Sequence, residues 1–273
     1  MKVFLKSILT SSEEIIYLAS QYLEIRDLID KFIIIEPKFT HTGKKRDLVG
    51  VNSLLEICPD LNQKLEYIPL PFLKGVFKNA KNSFETHNNE RLTRGSFKDF
   101  INISPKDIVI STDADEILYR SYVKRALKRV HNSFNPFYGE TPIINQFFYK
   151  DNYLAANFHF RGPSILRASR CIFFPFARHW RYARNYINDF GGCHFSWCMP
   201  LEDLILKADN SAHQKLFLES ADSSIEERIK KDISKKIYSF RRDKINLINL
   251  RNPSIIWPNS YLKLKKFIDL NQY

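Results

Sequence analysis

Three short apolar runs, each closed by a polar or proline-bearing loop, constrain the fold more than any other feature: DKFIIIEP at 30–37, LEYIPL at 65–70 and DIVIST at 107–112. The first, β-branched and ended by a proline, reads as a buried strand running into a loop, and the other two read as further strands. Ahead of the first, Ser11 to Glu14 forms a capping-box pattern. Apolar Ile15, Leu18, Ala19, Tyr22, Ile25 and Ile29 then recur at helical spacing, which predicts a helix over 12–29. Residues 79–100 are polar and helical in pattern. Helix, strand, connection, strand, helix and strand in that order specify an α/β unit, a mainly parallel central sheet flanked by helices. Ligands of such sheets gather at the carboxyl ends of the strands. That places three loops, EPKFTHTGKKRD, PLPFLKG and DADE, at one edge.

Beyond about residue 140 the texture changes to aromatic, strand-like pieces (IINQFFYK, NFHFRG, CIFFPF) that lead into GGCHFSWC at 191–198. From 222 the chain reads as helix, with Ile225, Ile229, Ile233 and Ile237 in one stripe and lysines largely away from it. Such a helix either packs its stripe on the domain or rests against an anionic membrane. With no repeat and no Gly/Ser linker, the 273 residues are expected to form one domain with C-terminal helices. The opening MKVFLKSILTSSEE is too short and polar for a convincing signal peptide, and no run of about 18 apolar residues follows. The expectation is a soluble, cytoplasmic protein with at most peripheral membrane contact. Its four cysteines, Cys58, Cys171, Cys193 and Cys198, are then reduced. A net charge of +12 admits a polyanionic partner: nucleic acid, an acidic membrane face or a phosphate-bearing small molecule. An ordinary lysine-rich surface would give the same number.

Chemistry is concentrated in three places. In DIVISTDADEI a strand ends directly in Asp113, Ala114, Asp115 and Glu116. Carboxylates two apart can reach one hard divalent cation that also bridges a diphosphate, although an acidic turn capping the next helix would look the same. The loop EPKFTHTGKKRD offers hydroxyls, a glycine and cations suited to phosphate or ribose, without the spacing of a P-loop. In GGCHFSWC the gap between Cys193 and Cys198 does not match a zinc site. Strand alternation puts His194, Ser196 and Cys198 on one face and Cys193, Phe195 and Trp197 on the other. His194 then faces either a polar site or the core.

The order FIIIEPKFTHTGK, ERLTRGSF, PKDIVISTDADEI, GGCHFSWC, WPNSYLKLKKFIDL, from about residue 13 to 269, resembles glycosyltransferase family 17, the β-1,4-N-acetylglucosaminyltransferase family. The resemblance implies a GT-A-type, Rossmann-related fold, with a nucleotide-binding half to about 135 and an acceptor half beyond. It implies a UDP-sugar donor, UDP-GlcNAc above all, a Mn²⁺ or Mg²⁺ ion, a glycan or glycolipid acceptor, and inversion to a β linkage. By it, Asp113 and Asp115 hold the metal with His194 as a late third ligand. Glu36, Thr40, Thr42, Gly43 and Lys44 lie near the nucleotide, and Arg91 faces phosphate. Two positions depart from the family pattern. Cys193 stands where it has Trp, implying a changed pocket, and Leu118 stands where it has Pro.

The expected mechanism needs a carboxylate to deprotonate the acceptor hydroxyl. Asp189 is the first choice, ahead of Glu116 and Asp151. Two other classes stay open: a basic nucleic-acid-binding protein, for which no recognisable motif is present, and a catalytically idle, glycan-binding member of the fold.

Overall fold

The computed structural model describes residues 1–71, 73–156, 158, 160–173, 185–210, 224–240 and 244–267. Four strands, β1 (Val3–Ile8), β2 (Lys31–Pro37), β3 (Leu65–Leu70) and β4 (Ile108–Ser111), form a wholly parallel block in the order β3-β2-β1-β4. Helices connect them: α1 (Ile15–Ile25), α2 (Asn52–Ile57) and α3 (Ser83–Gly95). After β5 (Glu116–Leu118) comes α4 (Arg120–Asn132). Phe32 to Ile35 are fully buried because both faces of the sheet are covered. Leu5, Phe32, Ile34 and Ile110 pack with Leu18 and Tyr22 of α1 and with Val123 and Ala126 of α4. Alternate residues Phe4, Ile33, Ile35 and Val109 pack on the opposite face with Phe97 and Cys171. Period-two alternation with both faces apolar explains the unbroken hydrophobic runs.

The remaining strands are β6 (Gly139–Phe148), β7 (Tyr153–Ala155), β8 (Ser164–Arg167), β9 (Asn185–Ser196), β10 (Ile237–Tyr238) and β11 (Ile245–Asn249). β8 runs antiparallel to both β4 and β6 and so continues the sheet. β9 lies parallel to β6 and antiparallel to β5. Helices α5 (Ala168–Phe173), α6 (Leu201–Asn210), α7 (Ile225–Lys235) and α8 (Asn259–Leu264) complete the described chain. The α/β architecture expected from the sequence is present: a parallel central block, flanking helices and helices near the C-terminus.

Several local expectations change. The central strand β1 is absent from the sequence reading, because Lys6 interrupts its apolar run. Lys6 is nonetheless only 1% exposed, its Nζ donating to Ser111 Oγ at 3.1 Å and lying 5.9 Å from the Phe97 ring centre. The helix expected over 12–29 begins as a 3-10 turn at Ser12–Glu14, with the Ser11 capping box in place, and closes at Ile25. The strand expected at CIFFPF is helix α5 as far as Phe173; its remaining residues lie outside the described set, as do Asn157 and His159 of NFHFRG. The tail helix stops at Lys235, where Lys236 adopts a left-handed φ of 53° and Ile237 enters β10. Ile229 is fully buried, with Ile225 and Ile233 against the same cluster, so the stripe faces the domain. Alternation in GGCHFSWC holds only to Ser196. Trp197 takes a φ of 61°, which sends Cys198 into the cluster of Cys193 and Phe195 and sends Trp197 to that of Tyr238 and Phe240. Among the described residues no helix is long and apolar enough to cross a membrane.

Candidate active site

The acidic loop is held from below by α1. Gln21 Nε2 donates to the carbonyls of Ala114 at 2.8 Å and Glu116 at 2.9 Å, and also reaches that of Asp113. One buried amide thereby fixes the turn that β4 needs in order to enter β5. In β5, Glu116 pairs with His194 of β9, and the amide of Phe195 donates to the Asp115 carbonyl. This register brings two motifs far apart in sequence side by side.

Asp115 is 5% exposed, its carboxylate 3.3 Å from His194 Nε2 and 3.0 Å from Lys207 Nζ of α6. Burial opposes its ionisation, but the Lys207 ammonium and then His194 outweigh burial and hold the carboxyl well below the usual range. Lys207 shows the same contest: burial disfavours its charge, and Asp115 with Glu14 raises its pKa nonetheless. Glu14, also buried, accepts from the Thr10 amide at 2.6 Å and Thr10 Oγ1 at 2.9 Å, and desolvation pushes its carboxyl up against the pull of Lys207. Asp113 turns the other way, to a two-pronged ion pair with Arg94 of α3, one prong at 3.0 Å. His194 Nδ1 lies 3.3 Å from Gln146 Nε2, and its ring packs 4.5 Å from that of Phe160.

Of the residues expected at the site, Asp113, Asp115, Glu116 and His194 come together. Glu116 is buried beside them, its Oε2 accepting from the Asp113 amide at 2.8 Å. Asp189 does not join them. It lies five residues before His194 on β9, roughly 16 Å along an extended strand, and pairs with Arg125 of α4 at 2.6 Å. Asp151 is also elsewhere, accepting from Tyr261 Oη at 3.0 Å and pairing with Lys265 at 2.9 Å. Glu36 is fully buried and occupied by Arg46 Nη2 (2.5 Å), the amides of Val49 (2.6 Å) and Gly50 (3.0 Å), and Tyr67 Oη (2.8 Å). These bonds anchor the loop after β2. Thr40 and Thr42 face each other at 2.8 Å, and the Lys44 amide donates to Thr40 Oγ1 at 3.1 Å. Gly43 has a φ of 81°, and a Cβ there would overlap the Phe77 carbonyl. Its backbone thus packs on residues 77–79, which Asn89 of α3 ties to the loop through its bonds to Phe77 and to the His41 carbonyl. Arg91 sits one turn before Arg94 on α3, and Arg94 is the residue that reaches the acidic loop. Cys193 is fully buried, 3.4 Å from Tyr119 Oη and donating to the Ile256 carbonyl at 3.3 Å. It fills core where a changed pocket was expected.

Arg94, Lys207, Gln21 and Glu14 escaped the sequence reading. Arg94 had a visible signal, the second arginine of ERLTR. Lys207 had only its place in LEDLILKADN, and the distant fold contact that gives it a role is not written locally.

The expected divalent cation can be tested against this geometry. Neighbouring ligands on a small hard cation with bonds of about 2.1 Å sit about 3 Å apart. The oxygen of Asp115 and nitrogen of His194 are 3.3 Å apart. Five carboxylates, Glu14, Glu90, Asp113, Asp115 and Glu116, surround this centre against the cations Arg94 and Lys207. Donor chemistry and surplus negative charge both fit the ion, with Asp115 and His194 the pair that would hold it. Asp113 would join by leaving Arg94. Among the described residues no three His, Cys, Asp or Glu side chains are already clustered for a metal.

Solved structures similar to this chain include 4-diphosphocytidyl-2C-methyl-D-erythritol synthase, at 9% identity and a TM-score of 0.40 over 70% of this chain and 90% of that one. S. aureus TarS 1–349 aligns at 11% identity and a TM-score of 0.35 over 84% of this chain and 68% of that one. CMP:2-keto-3-deoxy-manno-octonic acid synthetase complexed with CTP aligns at 8% identity and a TM-score of 0.34, over 64% and 77%. No curated protein matches the chain. The sequence model of glycosyltransferase family 17 matches residues 2–240, which takes in β1 to β10 and the acidic loop but not the WPNSYLKLKKFIDL segment. The chain belongs to glycosyltransferase family 17.

Proposed function

We propose that this glycosyltransferase takes a UDP-sugar, UDP-GlcNAc in the first instance, and transfers the sugar with inversion to a hydroxyl of a glycan or glycolipid. The observation that carries this reading is the joining of the Asp113–Glu116 loop, at the carboxyl end of the parallel block, to His194 in one buried charged group. A Mn²⁺ or Mg²⁺ ion held by Asp115 and His194 would supply positive charge to the diphosphate.

The protein's own groups do the rest. Arg94 and Lys207 are the cations that can turn from Asp113 and Asp115 to phosphate oxygens when the donor enters. Glu116 is the general base, the one carboxylate of the three expected candidates that borders the centre. One of its oxygens is fixed by the Asp113 amide. The other, Oε1, lies beside Gly162, where a Cβ would stand 2.5 Å from it. In the reaction the acceptor proton passes to Glu116 Oε1. The acceptor oxygen bonds to the anomeric carbon as that carbon's bond to the diphosphate breaks, and UDP leaves with the electron pair.

A panel of UDP- and GDP-sugars, followed for slow hydrolysis with Mn²⁺ and with chelator, tests the reading. Metal-dependent release of UDP from one donor is expected. No turnover or binding of any donor would refute it, and salt-sensitive, sequence-independent nucleic-acid binding in its place would favour the other class.

A further inference from the structure

A cavity of about 460 Å³ opens between the turn after β6 and the segment after β11. That volume falls in the range of small-molecule sites. Its floor is built, not incidental. Asp151 is 6% exposed and takes Tyr261 Oη at 3.0 Å and Lys265 Nζ at 2.9 Å, while its carbonyl accepts from Trp257 Nε1 at 3.2 Å. Lys265 also lies 4.1 Å from the Trp257 ring centre, clamped between carboxylate and indole. The two walls are laced together where the Leu250 amide donates to the Asn152 carbonyl at 2.9 Å and Asn152 Nδ2 donates to Asn249 Oδ1 at 3.1 Å.

The lining carries three cations, Lys150, Arg251 and Lys265, against the single carboxylate Asp151, whose charge Lys265 already offsets. Asn252 and Ser254 add neutral hydrogen-bonding groups. A net positive, amide- and hydroxyl-lined cavity over an indole suits a ligand with both an anionic group and hydroxyls. The cavity is separate from the acidic loop. Phe195 stacks on Tyr261 at 4.1 Å, and Tyr261 holds Asp151; on β9, His194 points to the opposite face, toward Asp115. The Phe195–Tyr261 stack therefore stands between the two sites.

We propose that this cavity binds a sugar unit bearing a carboxylate or phosphate, with Arg251 taking the anionic group. The proposal concerns binding alone and does not depend on the transferase chemistry assigned above. Calorimetric titration of the purified protein with glucose 6-phosphate, glucuronic acid, glucose and inorganic phosphate tests it. At least one of the two anionic sugars should bind about tenfold more tightly than glucose and than inorganic phosphate. The Arg251→Ala variant, checked for an unchanged melting temperature, should lose about tenfold in that affinity, whereas Asp115→Asn should keep it. Failure of both anionic sugars to bind at about 10 mM, binding that survives Arg251→Ala, or binding lost in Asp115→Asn would each overturn the proposal. Inorganic phosphate binding as tightly as glucose 6-phosphate would overturn its sugar component. Donor turnover is not measured here, so a failed proposal leaves the transferase assignment untouched.

Discussion

Replacing Lys207 with methionine keeps the bulk of the side chain and removes the ammonium that Asp115 holds at 3.0 Å. At that distance and an effective dielectric near 20, the gross attraction is about 5 kcal/mol. The relevant cost is smaller, because it is that of leaving a buried carboxylate without its cation, about 3–5 kcal/mol for fully buried pairs. Lys207 is 26% exposed, which places the cost near the lower end, about 3 kcal/mol. For a chain of this size that corresponds to a loss of about 6–12 °C in melting temperature. The source of the loss can be separated from mere packing. Glu14 is the second carboxylate that draws on Lys207, so Glu14→Gln in the Lys207→Met background should restore about 1 kcal/mol by removing like-charge repulsion. Differential scanning calorimetry of the two single variants and the double variant measures the coupling directly. A Lys207→Met protein melting within about 1 °C of wild type, or a double variant less stable than Lys207→Met, would refute the reasoning.

Glu36→Gln should cost about 2–3 kcal/mol, since a buried charged acceptor with four donors is replaced by an amide that must turn a donor toward some of them; denaturant melts check the size, and earlier proteolysis within 38–50 checks the place. Gly43→Ala should destabilise by about 1–3 kcal/mol, because it demands a left-handed backbone and overlaps the Phe77 carbonyl; an unchanged melt would remove this account of the THTGK loop. Burial pushes the Cys58 thiol up to about 11 and those of Cys171 and Cys193 up to about 12. Native protein at pH 8 should therefore react with a disulfide reagent far more slowly than unfolded protein, in which all four thiols titrate. Because these folded-state values lie above the unfolded thiol value of about 8.5, the stability they contribute is complete below that pH and declines as pH rises toward 11–12. Rapid native labelling, or stability that rises with pH above 8.5, would contradict the burial.

What the sequence discloses here depends on how local the cause is. LEYIPL becomes β3 with both boundaries as read, because a short apolar run between turn signals is a local fact. DADE and His194 could be linked only through resemblance, and the β5–β9 register gives the physical reason for the link. Lys6 hid β1, since a lysine reads as solvent-facing until the serine and aromatic that receive it are known. Trp197 broke the alternation of GGCHFSWC through one left-handed residue that no periodicity foretells. Asp189 was attractive because it is close to His194 in sequence, yet on an extended strand five residues are a long way. Arg94 stood in ERLTR one turn beyond the arginine that was chosen, and Lys207 comes from a helix with no motif of its own.

The central claim is that the group around Asp115 and His194 receives the nucleotide sugar, and the most direct measurement is calorimetric titration of UDP into wild type and Asp115→Asn with Mn²⁺ present. Saturable binding to wild type that weakens about tenfold or more in Asp115→Asn, with the variant still folded by circular dichroism, is the predicted result. Equal affinity in the two proteins would contradict it.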